Sequence, residues 1–305
     1  MYKICRVIKK TVILLFVFNV VLCLFFCIGY VKPAECMPFY NLSPQDIVCR
    51  STFYTSYSTS SEERKSNIAL ATSTLNNTLV DAGAEFSFNR TVGARTEKNG
   101  YKLAKIIVGG EFVDGVGGGV CQVSTTLYNA ILLAGLNVTE YHPHSLRVSY
   151  VAPSFDAMVN SGSADLRFIN DTSNPIIIKA IADGDKLKIE IWGEPLKEKI
   201  SRQSVVTGEI PAPPEREIQD ELGEYPELYQ GEKLVVKYSK AGLKSDGYIV
   251  SSINGKIVSI KKIRSDKYGA QRGVIVLGTA IKPENPSIEE QSEQILDIDN
   301  YFFKI

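Results

Sequence analysis

Apolar and polar residues follow two periods along the chain, first helical and then strand-like. Residues 62–80 place apolar side chains at helical spacing behind Ser60 and Ser61 and predict a helix. Residues 121–135 place apolar side chains on one helical face and end at Gly135, so they predict a second helix. Alternation with a period of two then predicts strands over residues 146–151, 165–170, 175–182 and 186–192. Helices followed by an antiparallel sheet indicate an α+β domain over residues 52–195.

A second, smaller unit is predicted over residues 196–280. After a proline-rich stretch at residues 210–214, alternating apolar residues predict strands over residues 233–238, 247–253, 256–263 and 273–278. The region contains no His or Cys and is only modestly apolar. We therefore interpret it as a small all-β module without catalytic groups, followed by an acidic tail over residues 281–305.

The N-terminal region has the pattern of a membrane anchor. Residues 11–30 form an apolar run of roughly the 20 residues that a transmembrane helix needs. The cations ahead of this run are Lys3, Arg6, Lys9 and Lys10. Positive charge on this side favours a cytoplasmic N-terminus, with the C-terminal domains on the extracellular, cell-wall side of the membrane. No small-residue cleavage pattern follows, so we predict an uncleaved anchor (residues 1–30) and a linker (residues 31–51).

Charge and composition restrict the classes of partner. Lys and Arg together number 34, as do Asp and Glu, so the formal net charge is zero. Proteins that bind nucleic acid carry an excess of positive charge to neutralise phosphates, so nucleic acid is not an expected partner. The hydrophobic share of 44% is that of a globular protein and excludes a disordered or fibrous chain.

One cysteine stands apart from the others. Cys36 and Cys49 lie in or beside the predicted linker, where they are close enough in sequence to pair with each other. Cys121 is then the remaining cysteine beyond the anchor. A free thiol in an exported domain is a liability unless the thiol is used or is buried as a small apolar side chain.

The surroundings of Cys121 favour a nucleophile. A glycine-rich loop over residues 115–119 leads into the predicted helix, and the only two histidines of the chain, His142 and His144, follow about twenty residues later. A helix N-terminus and a neighbouring imidazolium lower the pKa of a thiol, and the imidazolium can then protonate a leaving amine. The pattern predicts a Cys/His pair of the kind that papain-like and NlpC-type peptidases place at a helix start.

Two other interpretations of the same residues are weaker. Cys121, His142 and His144 would offer zinc only three ligands, without an accompanying Cys-x-x-Cys or His-Glu-x-x-His motif. The glycine loop resembles a phosphate cradle but lacks the Gly-Lys-Ser/Thr ending. We therefore predict neither a metal nor a cofactor.

Several short motifs resemble the VanW family, which is named after an accessory gene of glycopeptide-resistance clusters. They are FSFN at 86–89, GART at 93–96, GGGVCQVSTTLYN at 117–129, HS at 144–145, DA at 156–157 and NP at 174–175. The resemblance covers about residues 49–195. Downstream, the glycines at 231, 242, 255 and 278 resemble the five-glycine module that often follows a VanW domain.

The resemblance implies a membrane-anchored cell-wall enzyme, an L,D-transpeptidase that forms 3-3 peptidoglycan cross-links through a Cys acyl-enzyme. Cys121 would attack a donor stem peptide, and an amine of a neighbouring stem would resolve the acyl-enzyme. The family usually carries one histidine before the serine at position 145, so His144 is the predicted general base. His142 occupies a position where a basic residue is common. Asp156 matches the family's Asp-Ala pair and is slightly preferred over Asp165 as the group that orients the imidazole.

The same comparison suggests residues that contact the substrate. Gln122 and the backbone N–H of Cys121 are predicted oxyanion donors, and Arg95 is predicted to bind a stem carboxylate. The full predicted substrate-binding set is Gly118, Gly119, Gln122, Ser124, Thr125, Tyr128, Arg95 and His142. Capping or packing explains the Ser/Thr pair equally well, and a surface salt bridge explains Arg95 equally well.

Two alternative functions remain open at the level of sequence. The chain would be a non-catalytic peptidoglycan-binding or glycopeptide-resistance accessory protein if Cys121 were structural. It would be an NlpC-like Cys endopeptidase if water, rather than an amine, reached the acyl-enzyme.

Overall fold

Short strands and two longer helices make up the computed structural model, which describes residues 46–282. The helices are α1 (Glu62–Leu75), α2 (Phe88–Val92) and α3 (Val120–Leu133). The strands of the first half are β1 (Val48–Ser56), β2 (Thr78–Val80), β3 (Glu85–Ser87), β4 (Leu103–Val108), β5 (Glu111–Val116), β6 (Asn137–Glu140), β7 (Arg167–Ile169), β8 (Ile176–Asp183) and β9 (Lys186–Gly193). Those of the second half are β10 (Lys199–Ile210), β11 (Arg216–Gln219), β12 (Lys233–Lys237), β13 (Gly242–Ile253), β14 (Lys256–Tyr268) and β15 (Val274–Leu277).

The core of the first half lies between a sheet and two helices. The sheet is antiparallel, in the order β1-β9-β8-β2, and β8 and β9 form the predicted hairpin around Asp183. Alternate residues of β8 and β9 are buried, which is the pattern of a sheet covered on one face. Helix α3 packs on β1 and β9, and α1 packs on β8 and on α3. The described residues are therefore mostly β-sheet, with few helices, and the long helices cover the first sheet.

Helix α3 is almost completely enclosed, which explains its apolar composition. Twelve of its residues are buried. Its N-terminal residue follows Gly119, whose φ of 109° lies in the region that favours glycine. A Cβ at Gly119 would also lie 3.0 Å from Ile68 Cγ1, so α1 and this turn approach too closely for any larger residue. The glycine-rich loop is thus required for α3 to start where it does.

Two sequence predictions of secondary structure are wrong in part. The helix predicted over residues 62–80 ends at Leu75, because Asn77 adopts a left-handed φ of 61° and the chain then joins the sheet as β2. No strand forms over residues 146–151. There Leu146 and Val148 are buried from an irregular loop, as is Val151 three residues further on, so the short alternation reflects burial without a sheet ladder.

The second half consists of two three-stranded sheets, as expected for a small β module. Their orders are β10-β13-β14 and β11-β15-β12, with β11 parallel to β15. The long strand β10 was not predicted. Its apolar residues, Ile200, Val205, Val206 and Ile210, do not alternate with polar residues. The Ser154 hydroxyl approaches that of Ser245 on β13 at 2.7 Å, and Gly247 lies against the Ser154 backbone. All described residues belong to one compact unit.

The ends of the chain lie mostly beyond the described residues. The predicted anchor, with its apolar run at residues 11–30, lies outside them, as does the acidic tail apart from residues 281–282. The predicted linker, residues 31–51, overlaps strand β1 from Val48 onward. Over residues 46–282, no helix has the length and apolar character required to cross a membrane.

Candidate active site

Cys121 lies in the first turn of α3, directly after the glycine loop. Its side chain is partly exposed, and Sγ donates to the carbonyl oxygen of Val159 at 3.3 Å. The backbone N–H of Cys121 makes no hydrogen bond to any residue between 46 and 282. The Cys121 sulfur and a free N–H therefore lie side by side at a positive helix end.

His144 is buried next to the thiol, on the irregular loop that follows β6. Its Nδ1 lies 2.7 Å from Oδ2 of Asp156, and its backbone N–H donates to the same oxygen at 2.7 Å. With Nδ1 engaged in this way, Nε2 is the nitrogen left for the hydrogen bond that the imidazole shares with Cys121. The structure thus brings Cys121, His144 and Asp156 together in the order of a catalytic triad.

The electrostatics of this cluster favour a thiolate–imidazolium pair. Burial by itself raises the pKa of the Cys121 thiol, but the hydrogen bond and charge of His144, with help from Arg95, hold that pKa below its ordinary value. Burial lowers the pKa of His144, whereas Asp156 and Cys121 raise it to about 9. Burial raises the pKa of Asp156, and His144, Arg264 and Tyr268 bring it below the ordinary value.

Asp156 is held from the opposite side by the β module. The Tyr268 hydroxyl donates to Asp156 Oδ1 at 2.5 Å, and Arg264 donates to the Asp156 carbonyl oxygen at 2.7 Å. Arg264 is itself fixed by Asp266 at 2.6 Å. The β module, interpreted from the sequence as lacking catalytic groups, thus supplies two side chains that position Asp156. The sequence pattern that indicates this contact is the two-residue spacing of Arg264, Asp266 and Tyr268, which places all three on one face of β14.

Polar residues on α3 hold the loop that carries Asp156. The Ser124 hydroxyl donates to the Ala157 carbonyl at 2.6 Å, and the Ala157 N–H donates to Thr125 Oγ1 at 2.9 Å. Ser124 and Thr125 are completely buried, and Tyr128 is nearly so. These three predicted substrate contacts therefore fix the loop and pack the core instead of lining an open groove.

Gln122 is also committed to the protein interior. Its Nε2 donates to Thr55 Oγ1 at 3.0 Å and to the Ser56 carbonyl at 2.8 Å, which ties α3 to β1. The side chain is 1% exposed. Of the two predicted oxyanion donors, the backbone N–H of Cys121 is thus the one with a free hydrogen.

The alternative residues Asp165 and His142 lie apart from the thiol–imidazole contact. Asp165 accepts from Ser87 Oγ at 2.6 Å and from the Asn89 N–H at 2.8 Å, so it fixes the start of α2. His142 Nε2 lies 2.9 Å from Glu140 Oε1 near the surface. The structure therefore places Asp156, and not Asp165, beside His144.

The remaining predicted contacts surround the glycine loop. Gly118 is packed so closely that a Cβ would lie 2.8 Å from the Ala104 backbone, and its carbonyl accepts from Asn67 Nδ2 at 3.0 Å. Arg95 runs along the loop at Gly117 and donates to Asn89 Oδ1 at 2.5 Å. In the part of the chain described here, residues 46–282, no three metal-binding side chains cluster.

Replacing His144 by glutamine is expected to raise the pKa of the Cys121 thiol. The contribution of burial remains, while the contributions of His144, which lower the pKa most, are lost, so less thiolate is present at pH 7. We expect alkylation by iodoacetamide at pH 7 to slow by about tenfold or more, since one pKa unit corresponds to a factor of ten. Measured pH profiles of alkylation test this, with His142→Gln as the matched control. Equal shifts in both variants would contradict the pairing of Cys121 with His144.

The fold and the cluster of Cys121, His144 and Asp156 define the class of protein. It is an α+β protein with a Cys-His-Asp constellation at a helix N-terminus. Residues 63–192 match the family described as VanW like protein. The uncharacterized protein YoaR of Bacillus subtilis is 43% identical over 140 residues, which cover 46% of each chain. The vancomycin B-type resistance protein VanW of Enterococcus faecalis is 28% identical over 139 residues, which cover 44% of this chain and 50% of that one.

Residues 63–192 are thus similar to the VanW family, and the chain spans about half the length of the curated relatives it matches. Two solved structures also match. They are HP0197-G5, at 19% identity and a TM-score of 0.15 over 27% of this chain and all of that one, and the IgA1 protease G5 domain, at 19% identity and a TM-score of 0.17 over 28% of this chain and 95% of that one. Scores this low do not define the fold of the β module.

Proposed function

We propose that this protein is a cell-wall enzyme that uses Cys121 as a nucleophile on peptidoglycan stem peptides and forms 3-3 cross-links as an L,D-transpeptidase. The observation that carries the proposal is the contact of the partly exposed thiol with His144, which is itself fixed by Asp156. Similarity to a vancomycin resistance protein supports the cell wall as the place of action. The proposal also requires the predicted location on the outer side of the membrane.

In the first step, the thiolate of Cys121 attacks the carbonyl carbon of the third stem residue. A C–S bond forms, and the carbonyl electron pair moves onto oxygen, where the Cys121 N–H and the helix N-terminus stabilise the negative charge. Collapse of this intermediate breaks the C–N bond to the terminal D-Ala. The departing amine takes the proton held on His144 Nε2, which leaves a neutral imidazole and a thioester.

In the second step, a side-chain amine of a neighbouring stem attacks the thioester. Neutral His144 accepts a proton from this amine while the new C–N bond forms and the C–S bond breaks. The thiolate and the imidazolium are regenerated together. Asp156 stabilises the imidazolium in both resting and final states, because its Oδ2 remains hydrogen-bonded to Nδ1.

The pKa of Cys121 argues against a purely structural thiol. A buried cysteine without a partner has a raised pKa and remains protonated. Here the His144 contact reverses the effect of burial. Such a perturbed pair beside a free backbone N–H is more typical of a reaction site than of a packing site.

The test is product analysis by mass spectrometry after incubation of the full-length protein with disaccharide-tetrapeptide fragments. We expect release of D-Ala and a new 3-3 linked dimer, both absent with Cys121→Ala. Release of D-Ala without a dimer would contradict transpeptidation and favour hydrolysis by water. No release, together with a thiol that labels no faster than a model cysteine, would favour the non-catalytic binding protein.

A further inference from the structure

Two arginines border the glycine loop that leads into Cys121. A Cβ at Gly117 would lie 3.0 Å from Cβ of Arg95, and a Cβ at Gly119 would lie 3.0 Å from Cγ of Arg64. Arg95 follows α2 and Arg64 belongs to α1, so the two side chains reach the same loop from different elements. Both are partly buried and partly accessible.

Neither guanidinium has an acidic partner among residues 46–282. Arg64 donates to Ser60 Oγ at 2.8 Å, and Arg95 donates to Asn89 Oδ1 and lies over the Phe88 ring. Asp165 acts on Arg95 only over a longer distance, without an ion pair. By contrast, the buried Arg264 is paired with Asp266, whereas the enclosed Arg202 lies over the rings of Phe53 and Phe155.

The cost of this arrangement is electrostatic. Burial lowers the pKa of Arg64 and that of Arg95, which means that enclosure disfavours both charges. A desolvated charge without an opposite charge destabilises a fold. The negative charge that favours both guanidinium ions is a Cys121 thiolate, so the two cations share the neighbourhood of the nucleophile.

A further polar group near Arg95 lacks a partner. The hydroxyl of Tyr101 is buried and makes no hydrogen bond in the described part of the chain. Its charge interaction with Arg95 places it in the same neighbourhood. Unsatisfied donors around unpaired cations are the arrangement expected of a site whose anion is supplied by a ligand.

We propose that Arg64 and Arg95 form a clamp for a carboxylate of the substrate, and that this carboxylate is the C-terminal one of the residue that leaves. The inference rests on the proposed function, because it assigns the clamp to a peptide attacked by Cys121. The clamp borders the loop at Gly117 and Gly119, and both guanidinium ions interact with the charge of Cys121. In the proposed reaction the terminal carboxylate is one residue beyond the attacked carbonyl, so it is a substrate anion close to the thiolate.

The clamp has a consequence for the class of substrate. A peptide whose terminal carboxylate is one residue beyond the attacked carbonyl fits both charges. A longer peptide presents a neutral amide at that place and leaves two guanidinium ions unpaired. The enzyme would therefore act on the last peptide bond of a stem and not on internal bonds, which separates it from an endopeptidase that uses the same triad.

The experiment measures binding without turnover, using the full-length Cys121→Ala variant. Two ligands are compared by calorimetry: the tetrapeptide L-Ala-γ-D-Glu-diaminopimelate-D-Ala and the same peptide ending in D-alaninamide. The two peptides differ only at the terminal carboxylate, so the contributions of their other acidic groups to the binding free energy cancel in the comparison. We expect the acid to bind about tenfold to a hundredfold more tightly, as for charge-assisted hydrogen bonds to a carboxylate.

Substitution of the clamp then assigns the preference to these residues. Adding Arg64→Gln and Arg95→Gln is expected to bring the ratio of the two affinities to within about twofold of one. The matched control is Arg147→Gln, because Arg147 is an exposed arginine on the loop that carries His144. It is expected to leave the ratio unchanged. An effect confined to the reactivity of the thiol would not appear in this background, which has no thiol at position 121.

The outcomes separate the clamp from the proposed function. Equal binding of acid and amide, or a preference that survives both substitutions, would overturn the clamp even if cross-linked products form. A preference that depends on the two arginines supports the clamp. If the wild type nevertheless releases no D-Ala, the carboxylate-binding site is supported while the proposed reaction is contradicted.

Discussion

Replacing Cys121 by alanine is expected to abolish product formation while changing the free energy of unfolding by less than about 1 kcal/mol. In the proposed reaction the thiolate supplies the electron pair that forms the acyl-enzyme, and no other described side chain at this helix start offers a replacement. Loss of the nucleophile in a triad costs at least about 10⁴-fold in rate. Alanine is a good helix former, so α3 should persist.

The comparison of the two histidines makes this result specific. His144→Ala is expected to lose about 10³-fold or more in rate, because the imidazole lowers the pKa of the thiol and, in the proposed reaction, carries the transferred proton. His142→Ala removes a contact to Glu140 near the surface and should change the rate only a few-fold. Rates from product formation and unfolding curves in urea provide the measurements. Equal losses at both histidines would undo the assignment of His144.

Replacing Arg264 by methionine is expected to destabilise the protein by about 3–5 kcal/mol, the usual cost of removing one partner of a buried ion pair. Arg264 is 4% exposed and contacts two acids, Asp266 at 2.6 Å and Asp156 at 3.4 Å. Without it, Asp266 loses its cation and Asp156 retains only the His144 imidazolium. Denaturant unfolding measures the loss, and the matched control is Lys262→Met on the same strand. Lys262 pairs with Asp246 at the surface and should contribute less than about 1 kcal/mol.

A less disruptive variant separates the effect of the β module on stability from its effect on the pKa values of the site. Tyr268→Phe removes the hydroxyl that donates to Asp156 Oδ1 and accepts from the Ser154 N–H. The ring that fills the core remains. We expect a higher pKa for Asp156 and a shifted pH profile of thiol alkylation, with the free energy of unfolding changed by about 1–3 kcal/mol. An unchanged profile would mean that the β module supports the fold without tuning the site.

The local sequence was sufficient for the helix that presents Cys121. The glycine loop, the apolar face of residues 121–135 and the stop at Gly135 are all short-range features, and the structure contains helix α3 with this start. The hairpin at Asp183 was equally local. Local patterns also identified His144 as the histidine to examine, since motif resemblance depends on neighbouring residues.

Long-range contacts determined the other features of the site, because the sequence alone does not show which helix, strand and loop surfaces pack against each other. The period of two over residues 146–151 was real, yet it described burial from a loop and no strand. Asp156 and Asp165 were nearly equivalent in sequence, and only packing against α3 placed Asp156 at the imidazole. Tyr268 lies 112 residues beyond Asp156, and its hydroxyl contact depends on how β14 packs against the loop that carries Asp156. The sequence thus determined the helix start that carries Cys121. Tertiary structure determined which side chains contact Cys121 and His144, since hydrogen-bond partners depend on distance in space and not along the chain.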